Sequence, residues 1–343
     1  MGNECGNADA LILDNYIPAD GDYIVVKKDG SVVRCSIKMD KKAGRPVKDL
    51  SDGDSQYEDI VFYDYHSRLV SMDKPQDPKK VIHSNNYLSF WIKKESLTNG
   101  KLNMEGIDRY FDILSNPRVK YKNAKDSKMY DYIFPVVGEV NQEKLEQCRN
   151  WIKQHIFNMQ DFGIDISGKN YLKVFFEDDR DLYINEEKRY LMTKIYNKND
   201  YNIDIDEQIY GLPNDNLALN SKKPYMEHKT RKNVVPYLIT PEEAATQRKF
   251  FDYLMNEANR GYTNIFFDSD EDEIIPKKPG EFITDDFSGF FIQIQKGKEL
   301  SIQHQDAIVD YKYNLYKHFQ YRDVIGSARD EEIYKEYVNK KQM

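Results

Sequence analysis

A chain of 343 residues, 40% hydrophobic and 31% charged, can bury a substantial core and predicts about two domains rather than one. Its longest apolar runs, such as FFIQI near position 290, fall far short of a bilayer span of ~20 residues, and the N-terminus MGNECGNADALILDNYIP lacks the pattern of a secretory signal. A formal charge of -8 leaves any affinity for nucleic acid to local basic patches, and three scattered cysteines, Cys5, Cys35 and Cys148, contain no CxxC pair for zinc and fit a reducing cytoplasm.

In chain order, DYIVVKKDGSVVRCSIKM from Asp22 to Met39 sets two β-branched runs around Lys28, Asp29, Gly30 and Ser31, which predicts a tight hairpin. Asp40 to Gln56 is charged and broken by Gly and Pro, so it reads as an exposed connection, and IVFYDY at 60–65 reads as an aromatic strand. Asn141 to Met159 places Leu145, Cys148, Ile152, His155, Ile156 and Met159 at steps of three and four, the stripe of a helix that faces a core. YLKVFFE at 171–177 predicts a strand. From Thr240, TPEEAATQRKFFDYLMNEANRG supplies a Thr N-cap, Pro241 at the first helical position, Glu243 to complete a capping box and Gly261 as a stop. TNIFFD at 263–268 and GFFIQIQK at 289–296 read as strands, and ARDEEIYKEYVNKKQM at the end, acidic early and basic late, reads as a helix. Hairpins and long helices without regular βαβ alternation predict an α+β fold. The expected division is an N-terminal region 1–135, a second region 136–326 and a short C-terminal helix 327–343.

No glycine-rich nucleotide loop, GxSxG elbow or HExxH pair is present, and the six histidines are dispersed. His155, on the apolar stripe, reads as a core residue. Two acidic clusters follow apolar strands, Glu177 to Asp181 and Asp268 to Glu273. Carboxylates at strand ends can hold Mg²⁺, which makes a metal-dependent nuclease one reading, although such runs are usually solvated loops. The expectation is no catalytic residue, no metal and no cofactor.

The basic stretches are stronger signals. GLPNDNLALNSKKPYMEHKTRK, residues 211–232, opens on a turn-forming run, and within Asn220 to Lys232 it carries Lys222, Lys223, Lys229, Arg231 and Lys232 against one carboxylate, Glu227. Cations that neutralise phosphates release counterions, and amides such as Asn214, Asn216 and Asn220 can read base edges. PRVKYKNAKDSK at 117–128 adds Arg118, Lys120 and Lys122 together with Lys125 and Lys128, and HSNNYLSFWIKKES at 83–96 adds the pair Asn85 and Asn86. The plainer alternative for each run is a solvated face, and for the whole chain an adaptor that binds no nucleic acid.

Taken in order, MDKPQDPKKVIHSNNYLSFWIKKESLTNGKL, RYFDILSNP, YGLPNDNLALNSKKPYMEHKTRKNVVPYL and RKFFDYLMN resemble the large subunit of the type I-B CRISPR surveillance (Cascade) complex. The resemblance runs from about Leu11 to about Phe319, and its most specific pieces are HSNNYLSF and GLPNDN with the downstream KKPY and KTRK. It implies a noncatalytic, cytoplasmic antiviral-defence protein that partners crRNA, target double-stranded DNA and the other subunits. Such a subunit contacts the guide 5′ end, helps recognise the protospacer-adjacent motif and docks a separate helicase-nuclease. In RNA-guided recognition the protein reads a short flanking motif while base pairing reads the long sequence. Members commonly continue into a C-terminal helical region, so the end at Met343 implies a truncated, fragmentary or split form and puts support of the R-loop in doubt.

Overall fold

The computed structural model describes residues 5–40, 45–50, 54–213, 238–283, 287–297, 300–322 and 334–339. The fold is α+β, in two compact units, Met1–Tyr253 and Leu254–Met343. The expected boundary between residues 135 and 136 falls inside a helix, Ala124–Val137, whose Ile133 and Val137 share a buried cluster with Met192. A cut there would divide one small core, so the chain divides further on.

The first unit begins with α1 (Cys5–Asn15), the hairpin β1 (Gly21–Val26) and β2 (Val32–Asp40), β3 (Arg45–Lys48) and α2 (Ser55–Ser67). It continues through β4 (Ser89–Lys93), the single turn α3 (Glu95–Thr98), α4 (Met104–Ser115), α5 (Ala124–Val137) and α6 (Gln142–His155). Then come β5 (Tyr171–Phe176), α7 (Arg180–Lys194), the small pair β6 (Ile203–Ile205) and β7 (Gln208–Tyr210), and α8 (Pro241–Arg260), within which the two units divide. Five strands form one sheet in the order β3-β2-β1-β5-β4. The sequence hairpin is present, with Tyr23 opposite Cys35 and Gly30 at a positive φ of 84° in the turn. β1 and β5 run parallel at the centre, and every residue of β1 is buried, as a strand covered on both faces requires.

Two local readings change. The 40–56 connection contains β3, and IVFYDY is not a strand but the middle of α2. The Asp54 side chain caps that helix by accepting from the Gln56 amide, and Ile60 to Ser67 are all buried. The cap and the burial outweigh a β-propensity that is only a weak preference. The expected helices at 141 and 240 both form. Asn141 caps α6, whose Leu145, Cys148 and Ile152 face the core, and His155 is half-buried between the rings of Trp151 and Phe162. At α8 the Glu243 amide donates to Thr240 Oγ1 (3.2 Å) while Glu243 Oε2 accepts from the Thr240 amide (2.9 Å), the reciprocal capping box.

In the second unit, β8 (Asn264–Asp268), β9 (Glu273–Lys277), β10 (Phe287–Lys296) and β11 (Leu300–Tyr311) make an antiparallel sheet in the order β11-β10-β8-β9. Phe266, Ile283 and Phe287 form its small core. β12 (Asn314–Arg322) pairs with β13 (Tyr334–Asn339), so the described part of the expected C-terminal helix is a strand. Its backbone partners come from β12, which a local helix signal does not register. Among the described residues no helix is long and apolar enough to cross a membrane.

A buried ion pair joins the sheet to α2. Asp64 is 0% exposed and Lys173, on β5, 3%. The Lys173 ammonium donates to Asp64 Oδ1 and sits 3.8 Å from the centre of the Trp91 ring, while Tyr16 donates to Asp64 Oδ2 at 2.6 Å. Burial lowers the Lys173 pKa and the Asp64 carboxylate opposes that shift. Lys173→Met should therefore cost about 3–5 kcal/mol in denaturant unfolding, because it leaves a buried carboxylate unpaired. Adding Asp64→Asn should recover part of that loss; a double variant as unstable as the sum of the single ones would show that the two charges are not coupled.

Candidate nucleic-acid interface

The structure separates the sequence-derived site residues into three groups. Asn85 and Asn86 are each 1% exposed, which corrects their expected role as base readers. They complete the end of α2, whose last carbonyls have no partner within the helix. Asn85 Nδ2 donates to the carbonyls of His66 and Arg68, both at 3.0 Å, and its backbone amide donates to Ser67 O. Asn86 Nδ2 donates to Asn85 Oδ1 (2.7 Å), and Asn86 Oδ1 accepts from the Leu88 amide and Ser89 Oγ. Tyr110, from α4, donates to Asn86 O at 2.9 Å. The SNNYLS stretch is thus an internal polar latch.

The basic run 117–128 disperses. Arg118 pairs with Asp131 at 2.6 Å, Lys128 with Asp204 at 2.7 Å, and Lys125 donates to Asn202 O at 2.6 Å. Lys120 turns inward and donates to Pro75 O (2.5 Å), Gln76 O (3.0 Å) and Gln76 Oε1 (2.8 Å), which corrects its expected place on an exposed phosphate-binding face. Lys122 is exposed. Of the three residues expected to hold a backbone, Arg118 and Lys122 remain at the surface.

Asn214, Asn216, Asn220, Lys222, Lys223, Lys229, Arg231 and Lys232 lie outside the described residues. The residues that flank them are tied together: Gly211 and Ile239 exchange both backbone hydrogen bonds at 3.0 Å, and Tyr196 OH donates to Ile239 O at 2.7 Å. A Cβ at Gly211 would lie 2.5 Å from the Tyr196 ring and 2.6 Å from Asn202 Oδ1, so the first residue of the GLPNDN motif has to be glycine for packing.

Beside this junction lies a cavity of about 300 Å³, lined by Lys74, Lys120, Asn123, Thr193, Lys194 and Asn197, with Asp73, Asp126, Lys198 and Asp200 also on its walls. The Asn197 amide donates to Leu212 O at 2.8 Å, which joins one wall to the base of the basic tract. The Lys74 ammonium donates to the carbonyls of Lys194 and Tyr196. Burial, and secondly the neighbouring Lys194 charge, lower both Lys74 and Lys120 to about 7. Burial lowers Lys194 too, against the pull of Asp126. No local pattern marks this convergence: Lys74, Lys120 and Lys194 are far apart in the chain, and no spacing links them.

The acidic cluster after β5 is occupied by cations of the chain itself. Glu177 pairs with Lys27 at 3.0 Å, Asp179 with Lys28 at 3.1 Å and Asp178 with Lys144 at 2.8 Å. The Lys28 amide, then Lys27, hold the Glu177 carboxyl below its usual range. Burial would raise Asp178, but Lys144 and the Asp179 amide outweigh it. Asp268, at the end of β8, accepts from the amides of Asp270 and Glu271 and shapes the hairpin turn. Among the described residues no group of three His, Cys, Asp or Glu side chains could hold a metal ion. Comparison with models of known protein families, with curated proteins and with solved structures finds no match to this chain.

Two outcomes follow for purified protein. Asn85→Ala strips one buried and one partly buried carbonyl of their side-chain donor and should cost about 2–4 kcal/mol in urea unfolding; an unchanged midpoint would return Asn85 to the surface roles. The lysine cavity sets a pH dependence. Lys74 and Lys120 titrate near 7 in the folded chain and near ~10.4 when unfolded, so the unfolded chain binds more protons between those values. Their contribution is fully present above about pH 10 and is lost as pH falls toward about 7. Lys120→Met should flatten that rise in stability, and an identical slope in the variant would remove Lys120 as its source.

Proposed function

We propose that this chain is a noncatalytic, nucleic-acid-binding large subunit of a crRNA-guided antiviral complex. In that role it contributes to recognition of the protospacer-adjacent motif, to contacts with the guide 5′ end and to docking of a separate helicase-nuclease. The observation that carries this reading is the ordered set of segments resembling the type I-B large subunit, above all HSNNYLSF and GLPNDN with KKPY and KTRK. In the structure, Asn85, Asn86 and Gly211 hold the fold together in the first unit. Those motif residues serve the fold, and we assign contacts with nucleic acid to the basic tract 214–232 and the surface cations Arg118 and Lys122. Pairing of Glu177, Asp178 and Asp179 with lysines favours this reading over a metal-dependent nuclease.

The test is co-expression with the neighbouring genes and crRNA, followed by titration of the assembled complex against matched targets at several salt concentrations. Changing Lys222, Lys223, Arg231 and Lys232 to Ala should weaken binding about equally for all sequences and make the slope of log K against log salt shallower by roughly 3.6 units. Asn214→Ala or Asn216→Ala should instead relax preference for the flanking motif, with a loss of roughly 1–3 kcal/mol on the preferred sequence. A chain that never co-purifies with the complex, or that cuts DNA with Mg²⁺ on its own, would sink the proposal.

A further inference from the structure

Three lysines reach one cavity from three parts of the first unit: Lys74 from the loop between α2 and β4, Lys120 from the turn after α4, and Lys194 from the last position of α7. Like charges gathered in a partly desolvated space destabilise one another's protonated forms, and a bound anion removes that penalty. The chain's own acceptors for Lys74 and Lys120 are carbonyls and an amide oxygen, with no described carboxylate in ion-pair contact. Lys120, when protonated, has all three N–H groups matched, so it contributes positive charge and no spare donor; Lys74 has two matched by carbonyls and one left over. Of the carboxylates that face the cavity, Asp126 is held by two amides of its wall and draws on the charges of Lys74 and Lys194, and the others lie at its mouth. Asp126 accepts from Asn199 (2.6 Å) and Asn123 (2.8 Å), Asp73 is 95% exposed and pairs with Lys80, and Asp200 is exposed, as is Lys198.

We propose that this cavity is a phosphate-binding site, in which a phosphate oxyanion sits against Lys74, Lys194 and Lys198 beside the inward-turned Lys120. About 300 Å³ takes one phosphate group with part of the sugar that carries it. The anion chemistry stands on the cavity alone; only the source of the phosphate, a nucleic-acid strand, rests on the function proposed above. Binding is coupled to protons, because the anion favours the charged lysines. Burial holds Lys74 and Lys120 at about 7, so occupancy falls as pH rises above that value.

The experiment is thermal unfolding of the full chain with sulfate, which has the shape of phosphate and keeps its charge throughout, against chloride at equal ionic strength. At about pH 6 sulfate should raise Tm by about 2–6 °C beyond chloride, and at about pH 9 the difference should disappear. Lys74→Met and Lys194→Met should abolish the sulfate-specific rise, whatever their own Tm; should they not fold, Lys198→Glu at the exposed mouth takes their place. A rise equal in chloride, unchanged at the higher pH, or retained in the variants overturns the site. Short oligonucleotides then report the source, by competition with labelled inorganic phosphate. Displacement by strands ending in 5′-hydroxyl assigns an internal backbone phosphate, and displacement only by 5′-phosphorylated strands assigns a terminal one. Displacement by inorganic pyrophosphate but by no strand overturns the nucleic-acid source while leaving the anion site standing.

Discussion

The first unit depends on one buried charge pair. Lys173 comes from β5, at the centre of the sheet, and Asp64 from α2, so their contact fixes how that helix lies on the strands. Neither charge reaches water, and each survives burial only because the other surfaces around it are matched: Tyr16 donates to the second carboxylate oxygen and the Trp91 ring faces the ammonium. A second buried pair, Lys94 with Asp22, lies on the same sheet. Buried pairs of this kind add little net stability, but breaking one is costly, so they act against alternative packings of the helix on the sheet.

Once α2 is fixed, its C-terminus has to be satisfied inside the protein. The carbonyls of His66, Ser67 and Arg68 would be orphaned there, and Asn85 supplies a donor to each. Asn86 and Tyr110 then hold the loop that presents Asn85. An amide side chain suits this task for the reason it suits a base edge, since it offers donor and acceptor in one plane. Side-chain chemistry does not distinguish these two uses, and burial does.

The same distinction sorts the cations. Arg118 and Lys128 are partnered at the surface, where ion pairs contribute little and can exchange for a phosphate. Lys120 and Lys74 are drawn inward onto backbone carbonyls, where they hold the segments that line a cavity and leave positive charge inside it. A basic run along the chain is therefore two different things in space, a partnered face and one wall of a pocket.

The sequence alone determined the elements whose signals are local: the hairpin around Gly30, the capping box of α8, the Asn141-capped α6 and the strands β5, β8 and β10. It also showed the α+β class and the local excess of cations between Asn220 and Lys232. Whether 60–65 was strand or helix, whether 334–339 was helix or strand, and whether Asn85, Asn86 and Lys120 face solvent were decided only in three dimensions. Each of these turns on a partner distant in the chain: the sheet that buries α2, the strand β12 that pairs with β13, the carbonyls of 66–68 and those of 75–76. The lysine cavity is the extreme case, because its cations are separated by up to the length of several helices along the chain and no periodicity links them. Local pattern records what a segment does to its neighbours in sequence, and desolvation and charge proximity depend on neighbours in space.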